Sequence, residues 1–581
     1  MTATHALRAS TADVFGTRRD LGVAAAIAVV AALLPFHRGL AFPFSLDDYT
    51  FLLQATGLEP APFSLRRWLA VRGYYSLWLD IFGPNPLAWH VTSFLLHAAN
   101  AVWVYAWARR FGAACESAWV ACGLFAASPL AFTVLYWAAC IQEIASTFFL
   151  FTAAWVGWRT DRWRWAAVGL FALAMLCKES VIAAPLVLWF LFGRRKRGPV
   201  LAMLVAGAAI FIASGLTRRM FDSSLDSPYA VAFDSTLLVN LATHLVWFLA
   251  PWRAYPDRLA APQPSLVLPA ATVVGVVLVA LIVGRRRHAR PLLLASAWFV
   301  ALLLPVLPLR QHTYAYYSYA AQAGFLMLAG EGLLRLAGRL APGSWWWRFG
   351  VGTAAVAVTI LLAGRNTRTH ETLKLANSLV PHDSLVRYGF AAGALVAAVR
   401  EARFPDEVRQ AVFMSFPEEL GTAAQTPGQS RPGMVRVRKL PLREALRGGR
   451  LVTLHAPGVR GIWVDTLNAE FEGPDTAIFF GSGFNTVERV PGAPEAYMLQ
   501  AQGRMLIDDS AGAGRALERA LALAPNLAAA RVLLAGVEVQ RQNFDRSREL
   551  LAGVTPESVP AEMREFLAQL SKVLELGGSG P

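Results

Sequence analysis

Up to about residue 364 the chain is a series of apolar runs of spanning length or somewhat shorter, separated by polar turns. About 20 apolar residues is what a helix needs to cross the hydrocarbon core of a bilayer. Candidate spans fall at about 21–36, 87–108, 117–137, 141–158, 164–177, 179–193, 199–216, 267–284, 291–308, 318–337 and 349–364. A further apolar stretch, about 237–251, reads as a span or as a helix lying in the interface. Beyond about residue 365 the runs stop and the pattern becomes that of a soluble region. There the segment 451–480 has β-rich runs broken by Gly, Pro and Asn, which predicts a small sheet. Residues 494–560 are helical in pattern and repeat with a period of about 34 residues.

Composition agrees with a membrane chain. Hydrophobic types make up 55% and charged types 16%, against about 25% charged in ordinary soluble proteins. That excludes disorder and argues against a single soluble enzyme. The net charge of +15 would suggest nucleic acid if it were clustered, but most basic residues punctuate the apolar runs, so no nucleic-acid partner is expected. Cytoplasmic loops carry the excess of Arg and Lys. Arg18–Arg19, Arg109–Arg110, Arg159/Arg162/Arg164, Arg194 to Arg197, Arg285–Arg287/Arg290 and Arg335/Arg339/Arg348 all fall on one side, while Asp47, Asp48, Glu59 and Asp80 fall on the other. The alternation works only if 237–251 does not cross, which favours an interfacial or re-entrant helix there. Eleven spans then place the C-terminal region outside the cytoplasm. The cysteines Cys115, Cys122, Cys140 and Cys177 form no C-x-x-C pair, so neither a disulfide framework nor a zinc site is expected.

The expected fold is mainly α. A polytopic transmembrane domain of about 11–12 helices spans 1–364, with a first extracytoplasmic loop at 37–86. A soluble extracytoplasmic α+β region follows over 365–490, then helical repeats over 491–570 and a disordered tail over 571–581. In the repeats Ala513, Leu517, Ala520 and Pro525 take the Ala, Phe, Ala and Pro places of a tetratricopeptide-like unit, and Phe544-Asp545 stands where Tyr-Asp is usual in the next. Two such units are too few for a free-standing solenoid, so packing on the preceding sheet is expected, with a protein partner as the usual role of such helices.

Candidate chemistry begins in the long first loop, because long loops in compact proteins tend to be functional. Asp47-Asp48 can take a proton from an acceptor hydroxyl, hold a divalent cation such as Mg or Mn, or start a helix through Ser45-x-x-Asp48. Arg66, Arg67 and Arg72 in the same loop, with its aromatics, suit phosphate and sugar rings. His90 and His97 lie seven residues apart on one helix face and serve either a substrate or helix–helix hydrogen bonding, a role Asn100 shares. Glu143 opens an apolar helix, where a carboxylate is a site candidate or a helix-dipole partner that could meet the Asp pair across a cavity. Lys178 at a membrane rim can bind a lipid phosphate with Glu179 holding it, or the two form a neutral pair at a helix break. The turn Arg310-Gln-His312-Thr-Tyr314-Ala-Tyr316-Tyr317 is either an aromatic belt or a phosphate-stabilising group. No P-loop, HExxH or nucleophile elbow is present.

The run YYSLWLDIFGPNPLAWHVTSFLLHAANAVWVYAWARRFG, with Phe82-Gly83, Pro86, Trp89-His90 and His97, resembles the second-helix signature of GT-C membrane glycosyltransferases. The resemblance is to the protein O-mannosyltransferase and aminoarabinose-transferase relatives, especially members with C-terminal tetratricopeptide repeats, and covers about residues 40–330. It implies a GT-C fold. It also implies transfer of a sugar from a polyprenyl-phosphate donor to a glycan, lipid or protein acceptor, with inversion, outside a bacterial-type inner membrane. The family's first-loop acidic pair maps onto Asp47 and Asp48, although many relatives have Asp-Glu there. Lys178-Glu179 and the turn with Arg310, His312 and Tyr316 have counterparts in those relatives. No cofactor is required by this chemistry. Two other classes stay open: a non-catalytic scaffold that recruits partners, and a lipid-linked glycan transporter or polymerase.

Overall fold

The computed structural model describes residues 17–61, 63–159, 163–192, 197–215, 231–250, 286–309, 312–374, 380–416, 441–483 and 485–577. It is mainly helical. The chain divides into two compact units, Met1–Leu373 with Pro381–Val386, and Lys374–Val380 with Arg387–Pro581.

In the first unit, α1 (Arg18–Phe36) starts from a reciprocal capping box: Thr17 Oγ1 accepts from Asp20 N–H, and Asp20 Oδ2 accepts from Thr17 N–H. The first loop holds two short helices, α2 (Asp47–Ala55) and α3 (Tyr74–Phe82). Asn85 caps α4 (Pro86–Arg110), with Pro86 at the position where a missing N–H costs nothing. Then follow α5 (Cys115–Ala126), α6 (Phe132–Tyr136), α7 (Ile141–Arg159), α8 (Ala166–Cys177), α9 (Ala184–Phe192), α10 (Arg197–Ala213), α11 (Thr236–Leu249), α12 (Arg286–Leu303), α13 (Ala323–Leu340) and α14 (Trp345–Thr372).

Among the described residues three helices are long and apolar enough to cross a membrane: Arg18–Ala41, Ala138–Trp158 and Trp345–Thr372. The pair Cys115–Ala126 and Pro129–Tyr136, bent by 42°, makes a fourth if it counts as one span. The 117–137 run is therefore broken rather than straight, and Pro129, which cannot donate to the preceding turn, sits at the break. α4 is long enough but carries buried His90, His97 and Asn100. At α11, the 237–251 stretch forms 14 residues with Asn240, Thr243 and His244 buried. The span expected at 267–284 lies outside the described residues. Tight helix contact is set by small residues: a Cβ at Gly330 of α13 would lie 2.6 Å from the Ser117 carbonyl oxygen of α5.

Helix α15 (Ser384–Glu401) begins in the first unit and belongs to the second from Arg387, where it precedes a sheet whose first strand is β1 (Gln410–Ser415). With β2 (Arg460–Trp463), β3 (Thr476–Gly483) and β4 (Thr486–Val490) it forms the order β2-β1-β3-β4. β1 pairs parallel with β2 and β3, and β4 pairs antiparallel with β3. The sheet expected within 451–480 is present through β2 and β3, but its first run is not a strand. Residues 450–455 form a helix, α16 (Arg450–His455), entered from Gly449 at φ +91°. Gly449 meets Gly461 of β2 backbone to backbone, an approach that leaves no room for a Cβ on either residue. β1 is an element that the sequence pattern does not predict. Its Ala411, Val412, Phe413 and Met414 are all buried, so it shows no alternation of polar and apolar positions.

Helices α17 (Ala493–Leu506), α18 (Ser510–Leu523), α19 (Ala528–Gln540), α20 (Phe544–Leu551) and α21 (Arg564–Gly577) complete the unit. One core joins sheet residues Val412, Met414, Ile478 and Phe480 to helix residues Ala496, Ala513, Leu517, Ala520 and Leu534. The repeats thus bury their apolar face against the sheet, as two units alone require. The disordered tail expected over 571–581 is corrected in part: α21 runs through residue 577, and Leu574 is buried on its inner face.

Candidate functional site

The two adjacent carboxylates of the first loop occupy different environments. Leu46, just before them, has φ 48° and ψ −117°, a backbone conformation that a branched side chain adopts only under constraint. Past this kink α2 begins, and Asp47 faces solvent with no hydrogen bond or ion pair from its side chain among the described residues. Asp48 is fully buried. Its Oδ2 accepts from Ser45 N–H at 2.9 Å, and its Oδ1 accepts from Ala139 N–H at 2.6 Å and Tyr75 Oη–H at 3.1 Å. Burial pushes the Asp48 carboxyl up to about 7, against the pull of those donors. The capping role expected of Ser45 and Asp48 is half realised: Asp48 accepts from Ser45 N–H, while Ser45 Oγ–H donates to the Leu385 carbonyl at 2.9 Å.

That contact brings in a segment that carries no signal in the sequence. Asp383 Oδ2 lies 2.8 Å from His370 Nδ1, and Asp383 Oδ1 accepts from Leu385 N–H at 2.8 Å. Glu371 accepts from Tyr136 Oη–H at 3.0 Å and pairs with Arg38 at 2.8 Å. The C-terminal end of α14 and the following strap therefore brace the loop that presents Asp47.

The other side of the site begins at Ala139, whose turn leads into α7 and Glu143. Glu143 meets Lys178 across the helices, Nζ to Oε1 at 2.6 Å, with both side chains only 5% exposed. Lys178 sits in extended backbone, φ −157° and ψ 133°, between α8 and a short 3₁₀ turn. Successive side chains in extended backbone diverge. The pairing of Lys178 with Glu179 expected from their adjacency is accordingly absent, and Glu179 instead receives Arg67, at 2.7 and 3.0 Å, with Arg66 at 3.6 Å. Arg67 holds a left-handed backbone, φ 53°, as it makes this forked contact. Lys178 Nζ also lies 4.9 Å from the Tyr316 ring centre and 5.1 Å from that of Tyr317.

His312 packs on Tyr314, ring centres 4.8 Å apart. Burial, with Lys178, Arg67 and Arg66 adding to it, lowers its imidazole to about 3, so it is neutral at ordinary pH. The Ala139 N–H that donates to Asp48 lies four residues before Glu143, so one turn joins the two sides of the site. A cavity of about 210 Å³ opens beside it, with Arg67, Lys178 and Tyr317 at its polar end and Phe211, Leu304 and Val306 among its apolar walls.

Of the remaining sequence candidates, His90 and His97 tie helices together. His90 Nδ1 lies 3.0 Å from the Leu135 carbonyl oxygen. His97 contacts Tyr319 Oη at 2.8 Å and the Ala126 carbonyl at 3.0 Å, and both rings are fully buried. Of the two roles open to them, these contacts are helix-to-helix hydrogen bonds, as burial without a partner would be costly. Arg72 donates to the Ala61 carbonyl within its own loop. Arg310 lies outside the described residues. Among the described residues no group of three or more His, Cys, Asp or Glu converges as a metal site. Both Asp48 oxygens accept from protein donors, while Asp47 faces solvent.

A tetratricopeptide repeat family model matches residues 508–570, so this part of the chain is a tetratricopeptide-repeat region. No curated protein and no solved structure matches the chain. The resemblance of residues 40–330 to GT-C glycosyltransferases has no counterpart in these comparisons.

Proposed function

We propose that the chain is a polytopic membrane glycosyltransferase of GT-C type. It moves a sugar from a polyprenyl-phosphate donor to an acceptor outside a bacterial-type inner membrane, with its C-terminal region on that same outer side. The observation that carries the reading is the charge cluster beside the cavity: Lys178, Arg67 and Glu179 on its lining, with Arg66 and Glu143 in ion pairs with them. Three cations facing two carboxylates leave one positive charge in surplus beside an apolar wall, which is the demand of a lipid phosphate with its tail between helices. Buried charge is expensive in a membrane helix, and ionisable residues there are site candidates by default.

In this reading Asp47 takes the proton from the acceptor hydroxyl as its oxygen attacks the anomeric carbon. The carbon–oxygen bond to the donor phosphate breaks, and polyprenyl phosphate leaves. Lys178 and the arginines offset the charge on that leaving group. His312, being neutral, offers a hydrogen bond rather than a charge. Asp48 holds the turn at Ala139 in place and keeps Asp47 presented. Glu143 fixes Lys178. A protein partner docks through the repeats.

The experiment is consumption of polyprenyl-phosphate-linked sugars by the purified full-length chain, offered as a panel of different hexoses with membrane extract as acceptor. Release of polyprenyl phosphate from at least one donor is the expected result; no release from any overturns the reading. The tetratricopeptide match favours a second reading, a scaffold that recruits a protein partner, which predicts partner capture with no donor consumption.

A further inference from the structure

The far ends of α4 and α7, away from the charge cluster, enclose a second cavity of about 600 Å³. That lies within the roughly 300–1,000 Å³ usual for ligand pockets. Trp107, Trp158, Leu188, Trp298 and Met327 are among its apolar walls, contributed by five different helices. Arginines surround it. Arg290 and Arg335 stand on its lining, and Arg110 lies over the Trp158 ring at 5.2 Å. One carboxylate, Glu331, pairs with Arg335 at 2.6 Å, so three arginines face a single acid. Arg290 and Arg335 are exposed and Arg110 is half-buried, an arrangement that holds charge at a mouth rather than inside.

An apolar chamber between helices, flanked by indole rings and fringed by guanidinium groups, is complementary to an amphiphile with a negative headgroup. We infer that this cavity binds an acyl chain of an anionic membrane phospholipid, with Arg110, Arg290 and Arg335 meeting its phosphate. Basic pockets between helices on the cytoplasmic side recognise such headgroups, and the Arg-rich ends of these helices are the ones assigned to that side. The aromatic rings set the depth, because indoles favour the headgroup level. The inference rests on the membrane reading above but not on the transfer chemistry.

The test uses full-length protein in phosphatidylcholine vesicles carrying a trace of phosphatidylglycerol with a photoactivatable acyl chain, followed by mapping of the adducts. Adducts are expected on the cavity wall, at Trp158, Leu188 and Met327, and a phosphatidylcholine probe with the same chain should label those residues less. Gly332 lines the cavity, and a Cβ there would meet nothing within 4 Å, so a side chain can leave the backbone at this point, and Gly332→Trp at the mouth should abolish this labelling. Gly332→Leu, with an unchanged unfolding midpoint, guards against a folding defect. Arg290→Gln and Arg335→Gln should each lower the preference for the anionic probe about fivefold. Labelling spread evenly over the helices, unchanged in Gly332→Trp, or equal for both probes overturns the inference while leaving the transferase reading intact. A chain that washes off membranes without detergent overturns the membrane reading and this inference with it.

Discussion

Lys178–Glu143 in the first unit and Arg519–Glu472 in the second are both cation–carboxylate pairs at 2.6 Å, yet their surroundings differ. The first pair is 5% exposed on each side; in the second the arginine is 44% exposed. In the repeats, exposed pairs decorate helices whose stability comes from a shared core of Leu517, Leu534, Met414 and Phe480. Such pairs contribute little. The inner pair, by contrast, carries a desolvation cost that ordinary packing would avoid. Stability alone gives a chain no reason to keep it, and the same holds for Glu179 with its two arginines. Function is therefore to be sought in the unit where charge is buried at a cost.

Four perturbations sharpen or break that contrast. Lys178→Met strands the Glu143 carboxylate and should cost about 3–5 kcal/mol; unfolding in detergent measures it, and Lys178→Met with Glu143→Leu should recover most of the loss. Normal accumulation of the single variant, as a residue at the membrane rim would allow, would mean the pair is not buried in the folded protein. Leu517→Ala should cost about 2–5 kcal/mol through the cavity it leaves in the repeat core, read as a shift of the second unit's transition.

The third concerns Asp48, whose folded value near 7 lies above the ordinary carboxylate value of 3.8. Its raised value means the folded state holds the proton more tightly than the unfolded one. Stability from this group is complete below about pH 4 and is lost as pH rises to about 7, by at most about 1.4 kcal/mol per pH unit. Unfolding midpoints between pH 4 and 8 check this, and the slope should vanish in Asp48→Ala. A slope of opposite sign would mean the three donors outweigh burial. The smallest effect belongs to Arg519→Ala, which should leave the second unit's midpoint nearly unchanged.

Much of the second unit is legible in the sequence, because a repeat period and its small-residue places survive in a single chain. Ala513, Leu517 and Ala520 are buried in the core as their spacing predicts. β1 escapes such a reading for a physical reason: a strand buried on both faces has no period-2 signal. Residues 450–455 mislead because Leu451 and Val452 suit a strand by type, whereas the chain enters a helix from Gly449, which packs against Gly461.

In the first unit the charged residues stand out in the sequence, but their partners do not. Adjacency suggests Lys178 with Glu179; the extended backbone at Lys178 sends the two apart, to Glu143 and to Arg67. Asp47 and Asp48 look equivalent, and the positive-φ kink at Leu46 with the Ala139 amide separates them. The strap through Asp383 and Leu385 carries no signal at all, since its contact with Ser45 spans 340 residues of chain.

That separation of the two aspartates also decides how their amide variants should behave. Asp48→Asn replaces one accepting oxygen with an NH₂ facing a backbone donor, so it should loosen the loop rather than pass as a neutral cap change. Asp47→Asn alters an exposed group with almost no change of shape. The most direct test of the central claim is the rate of polyprenyl-phosphate release by Asp47→Asn, measured beside wild type with matched unfolding midpoints. A positioned base contributes roughly 10²–10⁴-fold, so release should fall by that factor with the fold unchanged. Release at the wild-type rate would contradict the account.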